Sequence, residues 1–142
     1  MTMVVDAVCS HGSDLISEPE WNSVCTSQHN VLVEGAEPAN EHLLTLLAPH
    51  LRAPVIRTHA LMPLTLPTGA CGALVLTDVS ALSGREQAVL LRWLDARGDD
   101  TQVISTTVRP LFPRVALGHF DAALYYRLNT VLLSADSGDG GA

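Results

Sequence analysis

The chain has 142 residues, of which 47% are hydrophobic and 16% charged, and its formal net charge is −7. This composition indicates one compact domain with a buried core. Lysine and arginine together number only 8, so no basic surface is expected to bind nucleic acid or anionic lipid. No apolar run approaches the roughly 20 residues that span a bilayer, and the start of the chain lacks the basic segment of a signal peptide. We therefore expect a cytoplasmic protein with no nucleic-acid or membrane partner.

The first part of the chain is predicted to hold two strands and two helices. Residues 18–26 have the spacing of a short amphipathic helix with a proline near its start. Residues 31–33 form an apolar, β-branched run that favours a strand. A helix follows and ends near Pro49. Its predicted buried stripe consists of Leu43, Leu44, Leu46 and Leu47. Residues 54–57 are predicted to form the next short strand.

The middle of the chain combines a loop, a buried strand and a capped helix. Residues 58–72 contain prolines and glycines and predict an irregular loop. Residues 73–76 are all apolar, as in a strand that is buried on both faces of a parallel sheet. Ser83 with Glu86 three residues later predicts a capping box at the start of a helix, and Gly98 predicts its end.

The last part of the chain continues the alternation of strands and helices. Residues 101–106 and 130–133 are predicted strands, and residues 109–128 are predicted to hold one or two short helices. The polar, glycine-rich residues 134–142 predict a disordered tail. The alternation predicts an α/β domain over residues 1–133, with a mainly parallel, five-stranded sheet between two layers of helices.

Three segments, in matching order and spacing, resemble the AAA+ ATPase core of sigma-54-dependent transcription activators. Residues 72–83 (GALVLTDVSALS) are similar to the Walker B strand of that family, and residues 103–111 (VISTTVRPL) are similar to its sensor I strand. Residues 118–129 (GHFDAALYYRLN) closely resemble its GRFREDLYYRLN segment. With residues 31–35 as the Walker A strand, the resemblance covers roughly residues 28–133. It implies a P-loop-like arrangement of the sheet.

The Walker A position departs from what ATP binding requires. A phosphate-binding loop needs glycines that let backbone N–H groups face the phosphates, a lysine on the phosphates and a hydroxyl on magnesium. Gly35 is present, but Pro38 removes a backbone donor. Glu41 replaces the lysine and His42 replaces the hydroxyl. No cluster of arginine or lysine near Gly35 offers a substitute. The resemblance therefore implies a domain without ATPase activity and without a bound cofactor.

The other nucleotide-handling positions of the family are also altered. Thr77 replaces the magnesium-orienting aspartate of Walker B, and Asp78 replaces the catalytic glutamate. We expect Asp78 to serve as a turn or cap residue, since phosphoryl transfer needs metal and base together. Val108 stands at the polar sensor I position, and Asp121 replaces an arginine of GRFRED. Arg127 remains at the place of an arginine-finger candidate, but a structural ion pair is the favoured interpretation.

Residues 58–72 are too few to hold the helix and GAFTGA loop with which the family contacts its sigma factor, and we expect no helical lid after residue 133. The predicted function is a catalytically inactive AAA+-like domain, a regulatory protein–protein interaction module in bacterial signalling or transcription control. Its partner is unidentified, and self-association is one option. The candidate contact residues are Leu61, Met62, Leu64 and Leu66, which have no helix or strand period. The alternative is that these residues fold back and cover the sheet.

Two other functions are compatible with the sequence. Cys9, His11, Cys25 and His29 supply a chemically sensible zinc set, although the single residue between the first two is tighter than usual finger spacings. Ordinary buried thiols and surface imidazoles are the favoured interpretation of these residues, and no sequence context marks Cys71 as a nucleophile. The second alternative is a pseudoenzyme that binds nucleotide without hydrolysing it.

Overall fold

The computed structural model of the chain describes residues 28–60, 64–97 and 100–135, together with the strand at residues 3–6. The helix predicted at residues 18–26, the predicted helix end at Gly98 and the residues from 136 onward lie outside this part of the chain. Within the described residues, no helix is long and apolar enough to cross a membrane.

A six-stranded sheet forms the centre of the fold, and every pairing in it is parallel. The order across the sheet is β1-β6-β2-β5-β4-β3. The strands are β1 (Met3–Asp6), β2 (Val31–Glu34), β3 (Val55–His59), β4 (Ala73–Thr77), β5 (Gln102–Thr107) and β6 (Val131–Ser134). The five predicted strands and the parallel α/β fold are thus confirmed. Sequence analysis did not predict the edge strand β1, because four residues are too few to show a period.

Four α-helices accompany the strands in the described part of the chain. They are α1 (Glu37–Leu47), α2 (Gly84–Arg97), α3 (Phe112–Ala116) and α4 (Ala122–Leu128). The predicted capping box at the start of α2 is present. The Ser83 N–H donates to Glu86 Oε1 at 2.9 Å, and the Glu86 N–H donates to Ser83 Oγ at 3.1 Å. These two bonds satisfy backbone groups that the first helical turn leaves free.

Each face of the sheet is covered by its own apolar cluster, which gives the three layers that the alternation predicted. On one face, α1 packs over side chains of β2, β4, β5 and β6. On the other face, the cluster joins the sheet to α2 and α4. All the β4 residues are buried, as expected for a central strand between two helical layers.

Two details of the prediction are wrong. In α1, Leu43, Leu44 and Leu47 are buried but Leu46 is 37% exposed. Four leucines within five helical positions cover more of the helix circumference than the side that faces the sheet, so one of them faces solvent. At the end of the domain, Ser134 belongs to β6 and Ala135 is fully buried, so the domain includes two residues beyond its predicted end at Leu133.

Candidate functional site: a pocket at the carboxyl ends of the strands

A small pocket of about 160 Å³ lies where β3, β4 and β5 end beside the first turns of α1. This edge of a parallel α/β sheet is where such folds usually bind their ligands. The residues that line the pocket are Glu37, Asn40, Glu41, His59, Thr77, Asp78, Thr106 and Val108. The structure therefore brings together the altered Walker A, Walker B and sensor I positions, which are far apart in the sequence.

The segment at the Walker A position is helical where a phosphate-binding loop would be open. Because α1 begins at Glu37, the Asn40 N–H donates to Ala36 O at 2.9 Å as an ordinary helical bond. Pro38, in the first turn, has no N–H to offer. A phosphate cradle needs several successive N–H groups that point into one concavity. This backbone does not provide such a cradle.

The side chain of Asn40 forms hydrogen bonds across the segment at the Walker A position. Asn40 is 2% exposed, and its Nδ2 donates to Gly35 O at 2.8 Å and to Thr107 O at 3.2 Å. Gly35 is tied to the same strand by its N–H, which donates to Thr107 O at 3.1 Å. Two hydrogen bonds thus reach Thr107 at the end of β5, and a third joins the Asn40 side chain to Gly35. The side-chain oxygen Oδ1 of Asn40 has no hydrogen-bond partner among the described residues.

Glu41, at the lysine position, forms an ion pair with Arg57 of β3. Both side chains are 42% exposed, so solvent screens the pair and it contributes little to stability. Sequence analysis did not predict this pair, which forms because β3 brings Arg57 to α1. The arginine is engaged with the carboxylate, however, and it does not line the pocket. His42, at the hydroxyl position, is exposed and is also outside the pocket.

Asp78 and Thr77, at the Walker B position, make structural contacts. Asp78 has a φ of 58° and a ψ of 64°, the left-handed conformation that aspartate tolerates better than most residues. Its N–H donates to Thr106 Oγ1 at 3.0 Å, and its Oδ1 accepts a hydrogen bond from Ser80 Oγ at 2.5 Å. Thr77 Oγ1 donates to Thr58 O at 3.3 Å. These contacts agree with a turn role for Asp78.

The two positions taken from the GRFRED-like segment lie away from the pocket. Arg127 of α4 forms an ion pair with Asp95 of α2, as the favoured interpretation expected. Asp121, in place of an arginine of GRFRED, caps α4, since its Oδ1 accepts from the Leu124 N–H at 3.0 Å. Both residues thus make contacts of α4 rather than of the pocket.

Burial changes the ionisation of two groups outside the pocket. Burial raises the pKa of Glu34, although a hydrogen bond from the Leu111 N–H at 3.3 Å opposes that effect. Burial also raises the pKa of Tyr125, and the negative charge of Glu34 contributes in the same direction. Neither group lines the pocket, so neither is positioned to exchange protons with a ligand there.

The loop between β3 and β4 is attached to the domain by α2. The carbonyl oxygen of Pro67 accepts hydrogen bonds from Trp93 Nε1 at 2.8 Å and from Arg97 NH2 at 2.7 Å. Leu64 and Leu66 are half-buried and pack against the cluster on the α2 side of the sheet. Burial thus accounts for these two of the four candidate contact residues. The other two, Leu61 and Met62, lie outside the described residues.

The structure describes one member of the candidate zinc set, His29; Cys9, His11 and Cys25 lie outside the described residues. In the part of the chain that is described, no group of three or more histidine, cysteine, aspartate or glutamate residues could hold a metal. Cys71 is a buried free thiol whose Sγ donates to Ala73 O at 3.1 Å.

Sequence reasoning missed five pocket or rim residues: Glu37, Asn40, Arg57, His59 and Thr106. Asn40 could have been found, because it stands at the second glycine position of the Walker A pattern. Arg57 and His59 lie on β3 and Thr106 lies on β5. Their positions follow from the strand order, and no local pattern indicates them.

The sheet order, its parallel strands and the pocket at their carboxyl ends define a P-loop-type α/β domain of the AAA+ kind. The profile of the Sigma-54 interaction domain matches residues 24–135, and the chain belongs to that family.

Solved structures of the same fold agree with this assignment. NtrX from Brucella abortus in complex with ADP is similar with a TM-score of 0.67 and 20% identity, over 80% of this chain and 33% of that chain. The P-loop NTPase domain of a sigma-54 activator from E. coli has a TM-score of 0.54 and 17% identity, over 74% of this chain and 94% of that chain. The RuvB branch migration motor of Thermotoga maritima has a TM-score of 0.60 and 13% identity, over 83% of this chain and 45% of that chain.

The chain spans about a third of the length of NtrX. No curated protein matches it in sequence.

Proposed function

We propose that this member of the Sigma-54 interaction domain family does not bind or hydrolyse ATP and that it acts as a regulatory protein–protein interaction module in bacterial signalling or transcription control. Family membership supports the regulatory setting. The chemistry of the pocket supports the loss of catalysis.

The single observation that carries the proposal is the closed Walker A segment. Helical hydrogen bonding begins where a phosphate loop would be open, and the Asn40 side chain fastens Gly35 to Thr107. The polar groups that line the pocket are carboxylates, threonine hydroxyls, the Asn40 amide and the His59 imidazole, and the nearby cation Arg57 is paired with Glu41. A pocket of about 160 Å³ is also smaller than the roughly 300–1,000 Å³ of typical cofactor sites.

Calorimetric titration with Mg-ATP and Mg-ADP tests this proposal. We expect no binding tighter than millimolar, with NtrX from Brucella abortus, whose structures include ADP and ATP complexes, as the positive control. Micromolar binding by the wild-type chain would contradict the proposal and would favour the alternative, a pseudoenzyme that binds nucleotide without hydrolysing it.

The variant Glu41→Lys separates charge from backbone geometry. It restores the family's cation, but Pro38 and the helical bonds of Asn40 remain. Because one charge cannot replace missing N–H donors, we expect the variant to bind ATP no better than the wild type. Strong binding by this variant would show that charge alone had blocked the site.

Protein contact is tested by association measurements on matched double variants. Replacing Leu61 and Met62 by serine is expected to weaken self-association in sedimentation, or capture of a partner, while the melting temperature stays unchanged. Replacing Leu64 and Leu66 by serine is expected to lower the melting temperature, since both side chains pack on the core. If the first pair lowers melting and leaves association intact, these residues cover the sheet and the contact surface is elsewhere.

A zinc role is decided by native mass measurement. The mass of the intact protein is measured as purified and again after chelation and dialysis. A mass difference of one zinc ion that disappears with Cys25→Ser would favour the zinc alternative over the proposed function.

A further inference from the structure

The vestigial nucleotide pocket has exchanged hydrogen-bond donors for acceptors. A phosphate site offers N–H groups and a lysine, whereas this pocket is lined by three carboxylates, two threonine hydroxyls, one amide, one imidazole and one valine. Among the described residues, no lysine or arginine lines it. The polarity of the site is therefore the reverse of what an anion requires.

Asn40 lines the pocket, and its side chain carries an acceptor that has no donor among the described residues. Asn40 is 2% exposed, and its Oδ1 has no partner within the described part of the chain. Its orientation is fixed, because Nδ2 donates to the carbonyl oxygens of Gly35 and Thr107, and a flipped amide would place an oxygen against both carbonyls. A buried acceptor of this kind is stabilised by a ligand that brings an N–H or O–H group.

The charges around Asn40 favour a donor that is cationic. Arg57 offsets the charge of Glu41, but the carboxylates of Glu37 and Asp78 have no arginine or lysine partner in the described residues. His59 is the remaining titratable group that lines the pocket. The formal charge of −7 over the whole chain adds attraction for a cation at longer range.

The shape of the pocket favours a small polyatomic cation with an alkyl stem. A volume of about 160 Å³ equals roughly five water molecules at ~30 Å³ each. Val108 is 44% exposed and lines the same pocket, so it offers an apolar surface for a methylene chain. The carboxylates are not grouped closely enough to form a metal-binding set among the described residues.

We propose that this pocket binds the guanidinium or ammonium group of an arginine or lysine side chain on a protein partner, with Glu37 and Asp78 supplying charge and Asn40 Oδ1 accepting a hydrogen bond. The proposal rests on the proposed interaction function, because it supplies the chemistry by which a partner would be recognised at the former nucleotide site.

The ligand test is an NMR titration of the ¹⁵N-labelled chain with N-acetyl-arginine amide, N-acetyl-lysine amide and N-acetyl-citrulline amide. Citrulline is the neutral isostere of arginine. We expect the cationic amides to shift the signals of Asn40 and its neighbours and to bind at least about tenfold more tightly than the citrulline amide. Equal binding of all three, or no shift at the pocket, overturns the proposal.

The variant test uses isosteric removal of charge. Glu37→Gln and Asp78→Asn keep size and fold, and together they are expected to weaken the cationic amides by about tenfold or more. Asp100→Asn, an exposed residue that does not line this pocket, is the control for net charge and is expected to leave binding unchanged. An equal loss in the control means attraction by net charge only and overturns the site.

Two further titrations identify the source of the cation. If spermidine or free arginine binds more tightly than the capped residues, the ligand is a small metabolite and the partner side chain is excluded. If Mg²⁺ displaces the capped residues at the same signals with higher affinity, the site is a metal site and the proposal fails. Micromolar ATP binding would instead overturn the proposed function itself, so the two failures are distinguishable.

Discussion

Gly72 gives the most direct stability prediction, because the backbone that precedes β4 leaves no room for a side chain. A Cβ at this position would lie 2.2 Å from the carbonyl oxygen of Arg52 and 2.7 Å from that of Ala53. Gly72 is also held on both sides. Its N–H donates to Pro54 O at 2.9 Å, and its carbonyl accepts from the Gln102 N–H at 3.2 Å. The residue therefore cannot withdraw from the clash without breaking contacts to neighbouring segments.

The cost of Gly72→Ala follows from these distances. To reach an ordinary contact of 3.4 Å, the backbone must shift by about 1.2 Å. Such overpacking typically costs about 1–3 kcal/mol. Loss of one or both hydrogen bonds adds about 0.5–1.5 kcal/mol each. We expect the free energy of unfolding to fall by about 2–5 kcal/mol, a large part of the ~5–15 kcal/mol that stabilises a typical domain.

Urea unfolding followed by circular dichroism measures this effect. Gly69→Ala is the matched control, because a Cβ there has nothing within 4 Å, and its free energy of unfolding should change by less than about 1 kcal/mol. If both variants unfold at the same urea concentration as the wild type, the close approach at Gly72 does not constrain this fold and the reasoning fails.

Three further substitutions have definite expected outcomes. Asn40→Ala should lower the free energy of unfolding by about 1–2 kcal/mol, because two carbonyl oxygens lose their amide donor, whereas exposed His42→Ala should change it by less than about 0.5 kcal/mol. Burial raises the pKa of Glu34, so the wild type should lose stability as the pH rises above 4.5, the ordinary pKa of a glutamate. Glu34→Gln should lack this loss when both proteins are unfolded in urea at about pH 4 and pH 7. Ser83→Ala should cost about 1 kcal/mol in the same assay, because α2 loses its N-terminal cap.

Each of these substitutions also has a contradicting result. Equal stability of the Asn40 and His42 variants would mean that the amide bonds do not stabilise the Gly35 turn. A wild type whose stability rises between the two pH values, relative to Glu34→Gln, would mean that burial does not dominate at Glu34. An unchanged unfolding midpoint for Ser83→Ala would mean that solvent replaces the cap.

The parts of the fold that could be predicted from the sequence depend on neighbours along the chain. The capping box needs only Ser83 and Glu86, three residues apart, and the structure has both of its hydrogen bonds. The apolar run of β4 indicates a central strand by composition alone. Comparison with a known family then placed the Walker and sensor positions at one edge of the sheet, where the pocket lies.

The parts that could not be predicted depend on contacts across the sheet. Glu41 and Arg57 are sixteen residues apart and meet only because α1 lies on the face of the sheet toward which that arginine points. The bond from Asn40 to Thr107 spans 67 residues and depends on β5 lying beside β2. Leu46 illustrates a third limit, since four leucines in five positions do not indicate which one faces solvent.

Residues at the altered nucleotide-binding positions form hydrogen bonds and an ion pair with their neighbours in the protein. Glu41 is paired with Arg57, the Asn40 amide is bonded to Gly35 and Thr107, and Asp78 accepts from Ser80. A site that awaits a nucleotide leaves its donors free for the phosphates, and the domain gains stability when the ligand binds. Here the groups at these altered positions are bonded within the protein, which supports the proposal that the domain does not bind nucleotide. Asn40 Oδ1, a buried acceptor that has no donor among the described residues, would accept a hydrogen bond from a cation and would repel a phosphate.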